Sequence, residues 1–502
     1  VTKLSTLQNL VSFADAHGVD ACAKLARLDR SKLGQFFSPP ETACYLASCF
    51  SDASFTKEVV LLDPGAGCGI LTAAFVESLI SRVKAGQIAL PDRVVLVSCE
   101  RDGHFIQALN DVLGHCKMAL ESEGITTEVL VRVEDWIEHG VEQIDEDLLP
   151  LEILPKATHV ILNPPYKKLA ANSRQRRLLS RVGIETSNLY SAFVWLCFLR
   201  LEPAGELCVI SPRSFCNGPY FKPFRKALLE KTHIVLLHQI GARDEVFERD
   251  KILQENIIYL LRNKPSENDR ITLAFGGFKN PTKQHLFESD VVCPNDPEHF
   301  IHLATDADAR DARNFVMQQQ ASLQDLGINI STGPVVDFRL REDLTRELQP
   351  DTFPLIYPHL IKNGKVARPP ANSDDCENVR QRKKPVGIRS TERTEKFLVT
   401  RGCYVLIKRF TSKEEKRRLV ACVLDPKDFP EAQIGIENHL NYFHSNGEGL
   451  PIKLAKGLAA YLNSSQVDQY FRQFNGHTQV NATDLRNLRY PTREQLVHPN
   501  FA

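Results

Sequence analysis

The chain has no net charge to work with. Its 62 lysines and arginines balance 62 aspartates and glutamates, so binding to a polyanion has to come from local basic clusters. It also has no C-x-x-C pair. Thirteen cysteines, an odd number, form neither a zinc-ribbon pattern nor an even disulfide framework. Cys293, His299 and His302 come nearest to a metal cluster, but no second thiol stands in spacing, and no metal site is expected. A charged-then-apolar leader and an uninterrupted apolar run of about 18 residues are both missing. Neither export nor membrane spanning is therefore expected, and the expected setting is reducing and cytoplasmic. Internal repeats and low-complexity tracts are absent too. What is present is a globular balance, 43% hydrophobic and 25% charged, in 502 residues, enough for two or three domains.

The most informative stretch is Asn163-Pro164-Pro165-Tyr166. The apolar run His159–Leu162 ahead of it reads as a buried strand, and two prolines in succession turn its end into a stiff, extended loop. Such a tip offers an amide oxygen, a proline-flanked carbonyl and an aromatic ring. The two acceptors can take both hydrogens of a planar –NH2 group while the ring stacks on the heterocycle bearing it. A strand-terminating turn without chemistry would use the same four letters.

Taken in order, residues 1–33 carry helical apolar spacing (Leu4, Leu7, Leu10, Val11, then Cys22, Leu25, Leu28) and form a helical lead-in. Gly34-Gln35-Phe36-Phe37-Ser38-Pro39-Pro40-Glu41 reads as a cap before a helix. From Val59 a strand–helix alternation begins: Val59–Leu62, the turn Asp63-Pro64-Gly65-Ala66-Gly67-Cys68-Gly69, then a helix from Ile70 towards Lys84. Glycines at alternate positions let the backbone turn sharply and approach a ligand closely. The next strand, Val94–Ser98, is followed by Glu100, placed to accept from both ribose hydroxyls; Val129–Val133 ends near Asp135, placed to accept from an adenine amino group. Helix N-capping is the bland role for both acids. Polar side chains at four successive strand ends put one ligand crevice along the top of a parallel sheet. A helix over Asn188–Leu201 and strands over Gly205–Ile210, His233–Ile240 and Asn256–Leu261 complete it. Phe247, in the charged segment between the last two strands, is either a hairpin staple or an exposed stacking platform.

Basic residues cluster in three places: Lys167, Lys168, Arg174, Arg176, Arg177 and Arg181; Arg382, Lys383, Lys384 and Arg389; and Lys408, Arg409, Lys413, Lys416, Arg417 and Arg418. One such run is usually a solvated face. Three in a neutral protein, one beside the Asn163 loop, suit contacts to phosphates.

Gly34–Pro39, Asp63–Gly69 and Asn163–Tyr166, in that order, resemble the tenth, first and fourth motifs of the gamma-class adenine-N6 DNA methyltransferases with a TaqI-like catalytic domain. Ile436–Phe443 and Arg472–Tyr490 are similar to the BsuBI/PstI-type modification methylases, so the resemblance spans most of residues 30–490. It implies a Rossmann-like α/β sheet, mostly parallel with an antiparallel last strand, followed by a mixed α+β target-recognition domain. The expected boundaries are 1–33 lead-in, 34–265 methyltransferase domain, 266–320 connecting region and 321–502 recognition domain.

It implies S-adenosylmethionine as cofactor, held by Gln35, Phe36, Phe37, Ser38, Pro39, Asp63, Gly65, Ala66, Gly67, Gly69, Glu100, Asp135 and Asn163. A flipped-out adenine would lie between Tyr166 and Phe247, with Asn163 and the Pro164 carbonyl on N6 and Pro165 stiffening the loop. Double-stranded DNA would meet Lys167, Lys168, Arg382, Lys383, Lys384, Lys408 and Arg409, and a cognate restriction endonuclease would be the functional partner of a chain acting as a monomer. Cys68 has no motif supporting a methyl-accepting role. An RNA adenine methyltransferase and a protein-glutamine methyltransferase share the loop chemistry; the latter leaves the basic C-terminal half without a role. A fused nuclease has no carboxylate–lysine cluster here, and a catalytically dead binding module is disfavoured by usable residue types at every proposed site.

Overall fold

Strand segments such as Val59–Leu62 and Val94–Val97 are apolar at every position, and a strand apolar on both faces needs a layer on each side. The computed structural model shows this arrangement. It describes residues 9–23, 38–145, 153–240, 256–263, 270–293, 296–304, 307–362, 364–375, 383–411, 415–474 and 479–498. The chain divides into two units, Val1–Leu303 and Ala304–Ala502.

The first unit runs α1 (Leu10–Ala23), α2 (Pro40–Ser48), β1 (Glu58–Pro64), α3 (Ile70–Lys84), β2 (Arg93–Cys99), α4 (Gly103–Ser122), β3 (Thr126–Arg132), α5 (Trp136–Glu142), β4 (Ala157–Leu162), α6 (Arg174–Arg181), α7 (Leu189–Leu199), β5 (Leu201–Pro212), α8 (Lys222–Lys231), β6 (Thr232–Gln239), β7 (Asn256–Asn263), β8 (Arg270–Phe275) and β9 (Thr282–Phe287). These nine strands form one sheet in the order β3-β2-β1-β4-β5-β7-β6-β8-β9. The first five are parallel, and β7 inserts antiparallel to both β5 and β6.

Side-chain alternation along each strand feeds two separate cores. Val60, Leu62, Val97, Val160 and Leu162 pack with Trp136 and Ile137 of α5, with α7, and with Phe224 and Leu228 of α8. Val59, Leu61, Leu96 and Ile161 pack on the other face with Leu10, Val11 and Ala14 of α1, Leu46 of α2, and α3 and α4. The lead-in expected over 1–33 thus supplies a helix to the sheet's own cover. A second difference concerns 266–320. Expected as a connector, it carries β8 and β9, which lengthen the sheet beyond the strand taken as its last.

One buried charge ties α2 to the sheet. The Glu206 carboxylate, fully buried on β5, accepts from the Ser51 amide (2.8 Å), the Ser51 hydroxyl (2.7 Å) and the Arg262 guanidinium of β7 (2.6 Å). Those bonds compensate its desolvation and fix the chain just after α2.

The second unit holds a six-stranded sheet in the order Asn329–Thr332, Leu440–His444, Tyr404–Lys408, Ala421–Leu424, Lys365–Val366, Ile361–Lys362. A five-stranded sheet runs Leu344–Thr345, Gly387–Arg389, Thr352–Ile356, Gln433–Ile436, Leu398–Thr400. Helices Ile452–Leu462 and Ser465–Phe474 share a core with the larger sheet through Leu454, Leu458, Phe471 and Phe443. Among the described residues no helix is long and apolar enough to cross a membrane.

Candidate functional site

The strand order reverses between β1 and β4, and a crevice at such a switch point lies outside the carboxyl ends of the strands. There the structure opens a cavity of about 310 Å³. Ser38, Gly65, Ala66, Gly67, Glu100, Asp135, Asn163 and Pro165 all line it, so segments up to 127 positions apart in sequence converge on one place.

Gly65, Gly67 and Gly69 all have positive φ (80°, 55° and 83°), a region side chains resist. At Gly69 an added Cβ would also press on Leu109 at 3.0 Å and Val112 at 3.2 Å. The Gly65 and Ala66 amides donate to the Cys99 carbonyl at 2.7 and 3.0 Å. The turn therefore offers a ligand close backbone approach rather than a ring of unused donors. Asp63 lies behind it, almost wholly buried. One carboxylate oxygen accepts from the Thr72 hydroxyl at 2.8 Å, and the other has no hydrogen-bond partner. Burial pushes its carboxyl up to about 7, with nearby Glu100 adding to the rise.

Glu100 is buried, which also raises its carboxyl. It accepts from the Gly67 amide (2.9 Å) and the Asp102 amide (2.8 Å), with the Arg101 amide also against it, and an ionised carboxylate has about four acceptor positions. Asp135 fills the bland role as well as lining the cavity. Its carboxylate caps α5 by accepting from the Ile137 amide at 2.9 Å, and its other oxygen pairs with Arg101 at 3.2 Å.

Asn163 stands where β4 ends. Its Nδ2 donates to the Ser38 hydroxyl oxygen at 3.0 Å, and its Oδ1 accepts from the Tyr166 hydroxyl at 3.1 Å. The same hydroxyl reaches the Ile210 carbonyl of β5 at 3.3 Å. Tyr190 meets the Tyr166 ring edge-on, centroids 6.4 Å apart. Burial pushes the Tyr166 phenol well above its ordinary value, so it stays protonated and donating. Pro164 is buried and Pro39 caps α2, with Pro40 at its first position. Beyond Tyr166 the chain pairs with the start of α7: the Leu169 amide donates to Ser187 O and the Leu189 amide to Lys167 O, both at 2.8 Å.

Lys167 and Lys168 are exposed and stand on the cavity wall itself. Arg174 and Arg181 from the same cluster pair with Glu138 (3.2 Å) and Asp145 (2.9 Å). In the second unit Lys384 pairs with Asp337 at 2.9 Å and sits over the Tyr357 ring, while Lys383 is exposed and Lys408 and Arg409 half-buried. Arg418 proves to be a core residue, fully buried and donating to the Thr411 carbonyl. Gln35, Phe36, Phe37, Phe247 and Arg382 lie outside the described residues.

Among the lining residues that escaped the sequence reading are Arg101, Phe105, Trp136 and Phe193. Arg101 and Trp136 directly follow the strand-end acids, and that adjacency was the available signal. Phe193 sits in a helix apolar all round, which hides the one face that meets the cavity.

A parallel sheet with this strand order, an antiparallel strand inserted near its end and a glycine turn at the switch point is the architecture of the S-adenosylmethionine-dependent methyltransferases, and the chain is one of them. S-adenosylmethionine is its methyl donor. Comparison with known proteins narrows the class. The chain is 42% identical over 470 residues to the type II methyltransferase M.PstI of Providencia stuartii, covering 93% of this chain and 88% of that one. It is 41% identical over 475 residues to the type II methyltransferase M.BsuBI of Bacillus subtilis, covering 93% and 89%. Residues 151–247 match the family described as Eco57I restriction-modification methylase. Among solved structures, a DrdV–DNA complex covers 99% of this chain and 59% of its own at 12% identity, with a TM-score of 0.48. The chain belongs to the type II methyltransferases of restriction-modification systems.

Proposed function

We propose that the chain methylates N6 of adenine at a specific site in duplex DNA, as the modification partner of a restriction endonuclease. The observation that carries this reading is the Asn163 amide, which lines the cavity beside the glycine turn and has both ends held by Ser38 and Tyr166.

A paired adenine cannot reach a buried site, so the base is flipped out at a cost of a few kcal/mol. Asn163 Oδ1 and the Pro164 carbonyl accept from the two N6 hydrogens. Both acceptors are pre-set, Asn163 by two hydrogen bonds and Pro164 by a rigid, buried backbone, so they draw the nitrogen lone pair out of the ring without reorganising. Tyr166 supplies one face for the base; Phe247 is assigned the other. No general base is needed before transfer, since water can take the surplus proton afterwards.

The cavity's fit to the cofactor rests on a backbone cradle at positive φ and acceptor capacity on Glu100 and Asp135, which line it, and on an unpartnered buried oxygen of Asp63 behind the glycine turn. Gly65–Gly69, Asp63 and Ser38 would take the methionine end, Glu100 the ribose and Asp135 the adenine, with Pro39 and the preceding Gln35–Phe37 closing over it. The group supplies an already activated sulfonium methyl. The protein's part is alignment, for which well-oriented reactants gain roughly 7–11 kcal/mol. Lys167, Lys168, Lys383, Lys384, Lys408, Arg409 and Arg382 are assigned to DNA, with Lys384 having to exchange Asp337 for phosphate.

The test is nucleoside mass spectrometry and sequencing of plasmid DNA from cells expressing the chain. The reading requires N6-methyladenine at one short sequence. A methylated cytosine, or transfer only to RNA, would refute it.

A further inference from the structure

The Ile436–Phe443 stretch, unused by the methyl-transfer chemistry, builds a rigid corner in the second unit. Glu437 is 1% exposed, and its carboxylate accepts from the His439 amide at 3.0 Å and pairs with the His439 Nδ1. A buried carboxylate is costly unless compensated, and this one spends its bonds orienting a single half-exposed imidazole. The backbone beneath is fixed as well. Glu437 N donates to Ile356 O at 3.0 Å, Asn438 N donates to Val335 O at 2.9 Å, and any side chain at Gly333 would collide with the Glu437 carbonyl.

The oriented imidazole packs on Phe410, ring centroids 4.8 Å apart, and Phe410 is 43% exposed. The Arg409 guanidinium lies 5.6 Å from the same phenyl centroid, and its Nη1 donates to the Asn438 carbonyl at 3.2 Å. Its backbone is locked too: Arg409 N donates to His439 O at 2.9 Å and Arg409 O accepts from Val480 N at 2.7 Å. No acid pairs with Arg409 among the described residues. By contrast Lys384, Arg346, Arg368 and Arg393 of the same unit pair with Asp337, Asp374, Glu431 and Glu342.

We propose that Arg409 reads a guanine of the recognition site, donating to its O6 and N7 in the major groove, with Phe410 and the Glu437–His439 pair as the bed that aims it. This rests on the duplex-DNA reading above. A guanidinium has five donors in a fixed fork, of which one is used here, and the two-acceptor edge of guanine is its commonest specific target. A phosphate would accept the same charge, but it needs no guanidinium held by an aromatic face and a backbone carbonyl at once. Arg409 is thereby a specificity-determining residue, and His439 and Glu437 are positioning residues.

The experiment uses the full chain and duplexes bearing the wild-type methylation site or single base-pair changes of it. kcat/KM and the salt dependence of binding are measured for the wild type, Arg409→Lys, Arg409→Gln and His439→Ala. Arg409→Lys keeps the charge and the stem but loses the fork. It is expected to lose about 10–100-fold on the intact site and much less on the duplex changed at one G·C pair, with the salt slope unchanged. His439→Ala should relax discrimination at that same pair. Two results overturn the proposal: a near-wild-type Arg409→Lys with Arg409→Gln weakened equally on every duplex and a salt slope lower by about one, which marks a phosphate contact; or unchanged discrimination in all variants. A wild-type chain inactive on duplex DNA would instead defeat the functional reading itself, and this one with it.

Discussion

The Asn163 Nδ2 donates to the Ser38 hydroxyl oxygen at 3.0 Å, joining the residue just ahead of the Pro39 cap of α2 to the one just past the end of β4. This bond decides which way the amide faces. With the nitrogen turned to Ser38, the oxygen faces the Tyr166 hydroxyl, and in the proposed reaction it is the acceptor for the target amine.

Ser38→Ala therefore lets the amide rotate without touching its chemistry. A lost hydrogen bond of about 0.5–1.5 kcal/mol predicts a kcat lower by roughly 2–10-fold, with KM for DNA nearly unchanged. Steady-state kinetics on a duplex substrate check this, and Ser38→Thr, which keeps the hydroxyl, should recover most of the rate.

The proposed mechanism gives Tyr166 two functions, a hydrogen bond to Asn163 and a face for the base, that substitution can separate. Tyr166→Phe keeps the ring and removes the bonds to Asn163 Oδ1 and Ile210 O, so it should lower kcat while leaving base flipping near wild type. Tyr166→Ala should lose both, and a base–aromatic stack is worth roughly 1–3 kcal/mol. Fluorescence of 2-aminopurine at the target position distinguishes the two variants.

If Asp63 takes the methionine end of the cofactor as proposed, binding should depend on pH. The Asp63 carboxyl sits at about 7 when folded, chiefly through burial, against an unfolded value of about 3.9. An acid raised in this way contributes stability that is fully present below the unfolded value and is lost as pH rises through about 7. Asp63→Asn should thus raise the melting temperature of the cofactor-free protein at pH 8, the gain shrinking towards pH 5. A bound ammonium would favour the ionised carboxyl. Affinity for S-adenosylmethionine in the wild type should accordingly fall as pH drops below 7, and titration calorimetry across pH 6–8 should find that slope flattened in Asp63→Asn.

Glu206 holds the scaffold. Glu206→Ala leaves the buried end of Arg262 and the Ser51 donors without their acceptor, and breaking a buried pair costs about 3–5 kcal/mol. Chemical denaturation should show that loss of stability, and α2 should loosen first in hydrogen exchange because its following turn is what Glu206 anchors.

The strand ends were legible because each combines an apolar run with an abrupt polar or glycine stop: Leu62 before Asp63, Cys99 before Glu100, Leu162 before Asn163. The sheet's far side was less so. Nothing local in Asn256–Asn263 says that it inserts between β5 and β6, and the polar look of 266–320 concealed β8 and β9, whose residues near the sheet's edge need be apolar on fewer positions. Charge runs misled most. Arg418 and Lys384 read like their neighbours, yet one is packed in a core and the other paired with Asp337, because a sequence shows the charge and not what stands opposite it. Asp135 shows the converse, where the capping role and a place on the cavity wall hold together.

The most direct test of the account is methyl transfer by Asn163→Ala. The variant should bind S-adenosylmethionine with an affinity within a few-fold of wild type, since the glycine turn, Asp63 and Glu100 are untouched, while single-turnover transfer of labelled methyl to duplex DNA falls below detection. Transfer at a rate near wild type would remove the Asn163 amide from the mechanism and contradict the account.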